Sequence, residues 1–252
     1  MTIVTKLPGR NTTLRAAKAC IAAAAFVLCG LASVQALAAA AVSALTVASG
    51  EVAHVSGTLS VSRPDGTMLV LGQKSEVYPG DLLSTQKDSY AQINFTDGSS
   101  LTIRPLTQVR VESYNYTQDK PEADSAFFRL LKGGMRSVTG LVGKRGNQDA
   151  YKIGTPVATI GIRGSIGDTV HCAPSCDGVV KGGAALERGT HHETHSGVYT
   201  MEFGGKAVVI PEGNSGYSNG LDIKVTLGGI GGGKVDLHLP TVGGLKDAAG
   251  CK

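Results

Sequence analysis

Tyr90-Ala-Gln-Ile-Asn-Phe95-Thr-Asp97-Gly98-Ser-Ser-Leu101-Thr-Ile-Arg104 is the stretch whose reading decides the fold class. Ala91, Ile93 and Phe95 alternate with Tyr90, Gln92 and Asn94, and a strict period of two marks a half-buried strand. Asp97-Gly98 then supplies a residue that bonds its own backbone and one that accepts positive φ, so Leu101-Thr-Ile-Arg104 is expected to return as a hairpin. Working outward, Thr107-Gln-Val-Arg-Val-Glu112 alternates again. Upstream, Leu59-Ser-Val-Ser-Arg63 and Met68-Leu-Val-Leu71 flank Pro64-Asp65-Gly66, a turn in which proline presets φ and glycine accepts φ > 0. Pro79-Gly80-Asp81 is a further turn.

Beyond Glu112 the polar run Asn115–Asp124 reads as a surface loop, and Ala126-Phe-Phe-Arg-Leu-Leu131 as a core strand ending at Gly133-Gly134. A separate strand is expected at Ser137-Val-Thr139, an exposed loop at 144–149, and core segments at Tyr151-Lys-Ile153, Val157-Ala-Thr-Ile160 and Ile162. Gly197–Phe203 and Lys206–Ile210 read as two strands joined at Gly204-Gly205. The glycine-rich stretch from Leu227 is not assigned to a core. Thirty-five glycines, no tryptophan and 5% aromatic residues fit short β-branched segments between turns. The expectation is an all-β, antiparallel β-sandwich or jelly-roll-like fold, with a short β-solenoid as the alternative and no long helix after the N-terminal segment.

That N-terminal segment has its own logic. Lys6, Arg10, Arg15 and Lys18 precede a run from Ala19 to Gly50 without a charge, and Ala36-Leu37-Ala38 offers a small-x-small site. A basic, then apolar, then small-residue order is that of a secretory signal peptide, expected to be cleaved after Ala38, or after Ala40 or Ala41. Retention as a membrane anchor is the competing reading. A lipoprotein is disfavoured by the residues ahead of Cys20 and Cys29. All four bases lie in this segment, so the remainder carries 20 bases and 20 acids. The basic pI therefore belongs to the leader, and nucleic acid is excluded as an expected partner.

Three cysteines follow the leader. In an oxidising compartment Cys172-Ala-Pro-Ser-Cys176 is expected to form a local disulfide, leaving Cys251 free or intermolecular.

Gly80-Asp81 with Thr85, Asp97-Gly98 with Leu101, Leu130-Leu-Lys-Gly133-Gly, and Thr155-Pro-Val-Ala-Thr-Ile-Gly-Ile-Arg163-Gly164 together resemble the FecR family over residues 51–180. Ser165 stands where that family's closing motif usually has Thr. The resemblance implies a β-rich, non-enzymatic domain in the periplasm or outside the cell. The expected organisation is a signal peptide at 1–38, the FecR-like domain at 51–180, an accessory β segment at 181–226 and a glycine-rich tail at 227–252. The founding member relays occupancy of an outer-membrane iron transporter to a cytoplasmic sigma factor, which needs a cytoplasmic domain; here 18 residues precede the apolar run. The main expectation is thus an exported interaction or sensory module whose partner is an envelope protein or extracellular ligand. A membrane-anchored regulator sensing iron status through an outer-membrane partner is the alternative.

No chemistry-bearing constellation contradicts a non-enzyme. There is no G-x-S-x-G, P-loop or dinucleotide fingerprint, and His192-Glu-Thr-His195 is one residue short of H-E-x-x-H. On a strand His191, Glu193 and His195 would share a face and could suit a divalent ion. The preferred reading of His191, His192 and His195 is a solvated loop, with neither metal nor cofactor. Tyr114 and Tyr116 are the aromatic pair for an envelope polysaccharide-binding module, with packing at a strand edge as the plainer role.

Overall fold

The computed structural model describes residues 47–147 and 149–233; the expected signal peptide and the end of the tail, with Cys251, lie outside them. Fifteen strands follow one another: β1 (Gly50–Ser56), β2 (Leu59–Ser62), β3 (Met68–Leu71), β4 (Glu76–Val77), β5 (Leu82–Thr85), β6 (Tyr90–Phe95), β7 (Ser100–Ile103) and β8 (Gln108–Asn115). Then come β9 (Ser125–Val138), β10 (Tyr151–Thr155), β11 (Ala158–Cys172), β12 (Gly189–Phe203), β13 (Lys206–Pro211), β14 (Asn214–Ser218) and β15 (Ile223–Leu227). The described residues hold no α-helix, and none of their helical turns is long and apolar enough to cross a membrane.

β9 organises the sheet. Along one side its first half pairs with β8 and its second half with β7. Along the other side it pairs in parallel with β10, then antiparallel with β11. Two arms leave it, β8-β5-β2-β3 and β7-β6-β1-β4, while β11-β12-β14-β15 continues the third direction with β13 beside β12. The two arms meet through their side chains. Phe95 of β6 lies 5.4 Å from Tyr114 of β8 and 5.0 Å from Phe128 of β9, ring centre to ring centre. Val61, Leu83, Ile93, Leu101, Val109 and Phe128 are among the fully buried side chains between them. The result is all-β with one parallel pair; its pairing does not single out a closed jelly roll or a solenoid.

One sequence expectation is corrected here. Residues 125–138 form one strand, not two separated by a turn. Gly133, at φ 89°, bends β9 against Thr107, where a Cβ would come within 2.3 Å of the threonine hydroxyl. Glycine therefore lets the strand change partners without ending it. β11 pairs with β12 along nearly its whole length, from Thr159↔Glu202 to Cys172↔Gly189.

Candidate functional site

The β11–β12 ladder gathers the charged and titratable side chains. In the strand pair, Asp168 stands opposite Glu193, Thr169 opposite His192, Val170 opposite His191, and His171 opposite Thr190. Asp168, Thr169, Thr190, His192 and Thr194 are fully buried. The 191–195 segment is therefore a core strand rather than a solvated loop. Its burial is compatible with polar side chains because they bond one another. Thr169 Oγ1 lies 3.0 Å from His192 Nδ1, His171 Nδ1 lies 3.0 Å from Thr190 Oγ1, and Thr190 donates to Thr155 Oγ1 at 2.8 Å.

At the centre is the Asp168 carboxylate. Arg136 reaches both its oxygens, at 3.1 and 2.9 Å; Arg104 Nη2 lies 3.3 Å away, and His195 Nε2 donates to Oδ2 at 2.7 Å. Burial works to raise the Asp168 pKa, but the His195 hydrogen bond and the two guanidinium groups win and hold it well below the usual carboxylate range. The other side of the His195 ring faces Glu193, with Nδ1 3.7 Å from Oε1. Glu193 Oε2 in turn accepts the backbone N–H of Ile230 at 3.0 Å. A chain of charge thus runs from Arg104, just past β7, to the 3-10 turn at Ile230–Gly233. Ile230 itself is buried, within the stretch from Leu227 that sequence reading leaves unassigned to a core.

The three histidines do not converge. His191 stacks on Tyr217 at 4.6 Å and donates from Nε2 to the Glu187 carbonyl at 2.8 Å, and burial pushes its pKa down. It lines a cleft of about 320 Å³ with Glu187, Tyr217, Lys224 and Ile230. His192 lies on the opposite face, 4.1 Å from the Tyr199 ring, with burial lowering its pKa to about 3. Among the described residues no group of three or more His, Cys, Asp or Glu side chains could hold a metal ion.

The family-type residues are spread through turns and bends rather than gathered at a ligand. Gly80, at φ 90°, donates its N–H to Val111, and Asp81 accepts the N–H of Tyr78 at 2.9 Å. Burial raises the Asp81 carboxyl. Asp97 ties the tip of the β6–β7 hairpin, with Oδ1 accepting from Ser99 and Tyr114 and Oδ2 from the Val142 N–H; Gly98 follows at φ 80°. Gly133 makes the bend in β9, and Gly164, at φ 62°, sits in the irregular stretch of β11 beside Arg163, which reaches Asp149 at 3.5 Å. Tyr114 is bound through its hydroxyl to Asp97, and the Arg145 guanidinium covers Tyr116 at 4.8 Å, so neither ring offers an open platform.

The Cys172–Cys176 disulfide is formed, with Cα atoms 4.7 Å apart. Both cysteines are buried in a small second core with Val170, Val179, Val180, Leu186 and Ile230. Sequence reading missed Asp168, Arg104 and Arg136. The available signal was a lone acid among β-branched residues in Ile166-Gly-Asp-Thr-Val170, where an unpaired carboxylate could not be buried.

The family model described as FecR protein matches residues 81–175. The match takes in Asp81, Asp97, Gly98, Gly133, Arg163 and Gly164, begins one residue after Gly80, and ends one residue before Cys176. Residues 51–80 of the expected domain lie ahead of it. No curated protein matches the chain. Two crystal structures of a candidate anti-sigma factor from Parabacteroides distasonis ATCC 8503 are similar, each with 10% identity and a TM-score of 0.43, covering 58% of this chain and 59% of that one. The chain thus spans about three fifths of that protein's crystallised length.

Proposed function

We propose that this chain, whose residues 81–175 match the FecR family model, carries a non-catalytic sensory or regulatory module of the bacterial envelope that receives its signal by contact with another protein. The family match is the observation that carries the proposal. It favours the regulator over a free-standing exported binding module, because FecR-type domains act as the signal-receiving part of a regulator. The polar ladder is compatible with the same reading: the Asp168 carboxylate is buried and held by Arg104, Arg136 and His195 rather than open to a substrate. The closed-off rings of Tyr114 and Tyr116 weigh against an envelope polysaccharide ligand. In this proposal the domain lies on the periplasmic side and the uncharged apolar run that starts at Ala19 holds it at the membrane.

Two measurements test it together. Intact-mass analysis of envelope fractions should find Met1 retained, and transcript profiling of a deletion strain should show a defined set of envelope-responsive genes changed. A chain cleaved after Ala38 and released, with an unaltered transcript profile, would return the function to an exported interaction module. Repeating the profile in iron-replete and iron-starved cells decides whether iron is the signal.

A further inference from the structure

β3 is an edge strand of an unusual kind. It pairs with β2 alone, and three consecutive apolar residues stand in solvent: Met68 is 76% exposed, Leu69 44% and Val70 74%. Edges of sheets are ordinarily protected by charge or proline, because their free N–H and C=O groups recruit other strands. The other outer strands follow that rule. β4 has Glu76, β13 begins at Lys206 and ends at Pro211, and β15 has Lys224. Met68-Leu-Val-Leu71 has neither safeguard.

The register of the β2–β3 hairpin says which backbone groups are free. Arg63 donates to the Thr67 carbonyl at 2.9 Å, closing the hairpin, and the ladder continues with Ser62↔Met68, Val61↔Leu69, Ser60↔Val70 and Leu59↔Leu71. Hydrogen-bonded and non-hydrogen-bonded pairs alternate in an antiparallel ladder. Leu69 and Leu71 therefore bond inward to β2, and the N–H and C=O of Met68 and Val70 point outward.

We propose that two copies of this chain pair antiparallel along β3, about a two-fold axis at Leu69. In that register Met68 of one copy lies opposite Val70 of the other, and their outward groups form four backbone hydrogen bonds. Leu69 meets Leu69 in the non-hydrogen-bonded position between them. Faces match as well as bonds. Leu69 is on the side of Val61, a core residue 1% exposed, so the two copies continue one apolar face, while Met68 and Val70 lie together on the other. A two-fold interface of this kind is self-complementary by construction.

Cross-linking tests the register and sedimentation tests the association. In a full chain carrying Cys20→Ser, Cys29→Ser and Cys251→Ser, Leu69→Cys should give a disulfide-linked dimer on mild oxidation. Cα atoms across a non-hydrogen-bonded pair are ~4.5 Å apart, within the span of a disulfide. Met68→Cys or Val70→Cys alone should link poorly, while a mixture of the two should link to each other. Sedimentation equilibrium of the unaltered chain should show a reversible dimer that Val70→Pro abolishes; this substitution removes an outward N–H and leaves the β2 ladder whole. Val209→Pro, on the protected β13 edge, should leave the dimer intact. A monomer at every concentration overturns the proposal, as does a dimer indifferent to Val70→Pro, or Leu69→Cys linking no better than Met68→Cys.

Discussion

The strands up to β8 and the β11–β12 ladder bury side chains by opposite means. In the first region the strand interiors enclose mainly apolar positions such as Val61, Leu83, Ile93, Leu101 and Val109, whose stabilisation scales with apolar area, while its buried acids Asp81 and Asp97 sit at turns. In the second, the enclosed positions include Asp168, Thr169, His171, Thr190, His192 and Thr194, and each side chain has at least one partner, although His192 bonds through Nδ1 alone and leaves Nε2 unpaired. A core of area degrades gradually when trimmed. A core of paired polar groups fails at single atoms, since a group left without its partner bears the full cost of desolvation.

The largest break in that comparison should come from Asp168→Ala. Two guanidinium groups and an imidazole converge on its carboxylate, and removing one member of such a buried cluster costs about 3–5 kcal/mol. Urea denaturation followed by far-ultraviolet circular dichroism would show it; a loss below ~1 kcal/mol, the range of an exposed ion pair, would mean the cluster contributes no more than a surface bridge. Protonating the same carboxylate removes the contribution from the acid side. Asp168 has its folded pKa depressed, so its contribution is complete above the ordinary carboxylate value of 3.8 and disappears only as the pH falls through the much lower folded one.

His192 sharpens the contrast at milder pH. Unfolded, it takes a proton near pH 6.5; folded, burial defers this to about pH 3. The unfolded chain therefore binds the extra proton in that window. Stability should be full above pH 6.5 and fall by roughly 1 kcal/mol for each unit below it. His171 and His191, also lowered chiefly by burial, act in the same direction. His192→Phe should flatten the slope, and an unchanged slope in that variant would assign the pH dependence elsewhere. Reducing the Cys172–Cys176 bridge, which closes a short loop, should cost about 2 kcal/mol in the second core while leaving the first arm folded. Limited proteolysis would distinguish local loosening from global loss. The smallest effect, about 1 kcal/mol, is expected for Tyr114→Phe, which removes the hydroxyl from Asp97 but keeps the ring on Phe95.

The same contrast explains what could be read from the residues alone. β6, the Asp97-Gly98 turn and the Pro64-Asp65-Gly66 hairpin were legible because alternation of apolar and polar side chains reports directly on a face buried by area. The β12–β13 hairpin at Gly204-Gly205 was legible from its turn, both glycines having positive φ. Thr190-His-His-Glu-Thr-His195 was not, because polar residues alternate with polar residues and hydropathy cannot distinguish a satisfied hydroxyl from a solvated one. Gly133-Gly134 misled for a related reason. Glycine is the same signal for a chain that stops and for a strand that bends, and the contact with Thr107 that separates these cases is distant in sequence.

β9 also has a place in time. On a chain made from its N-terminus, β7 and β8, its partners on one side, are already complete when it emerges, whereas β10 and β11 have yet to be made. Until Tyr151–Cys172 arrives, β9 presents a fourteen-residue open edge beside the half-built core. Such an edge is where a nascent chain is most exposed to mispairing with its neighbours. Arg145, in the connection that leads to β10, binds Asp124 at 3.0 Å and the Thr117 and Gln118 carbonyls, all in segments made before it.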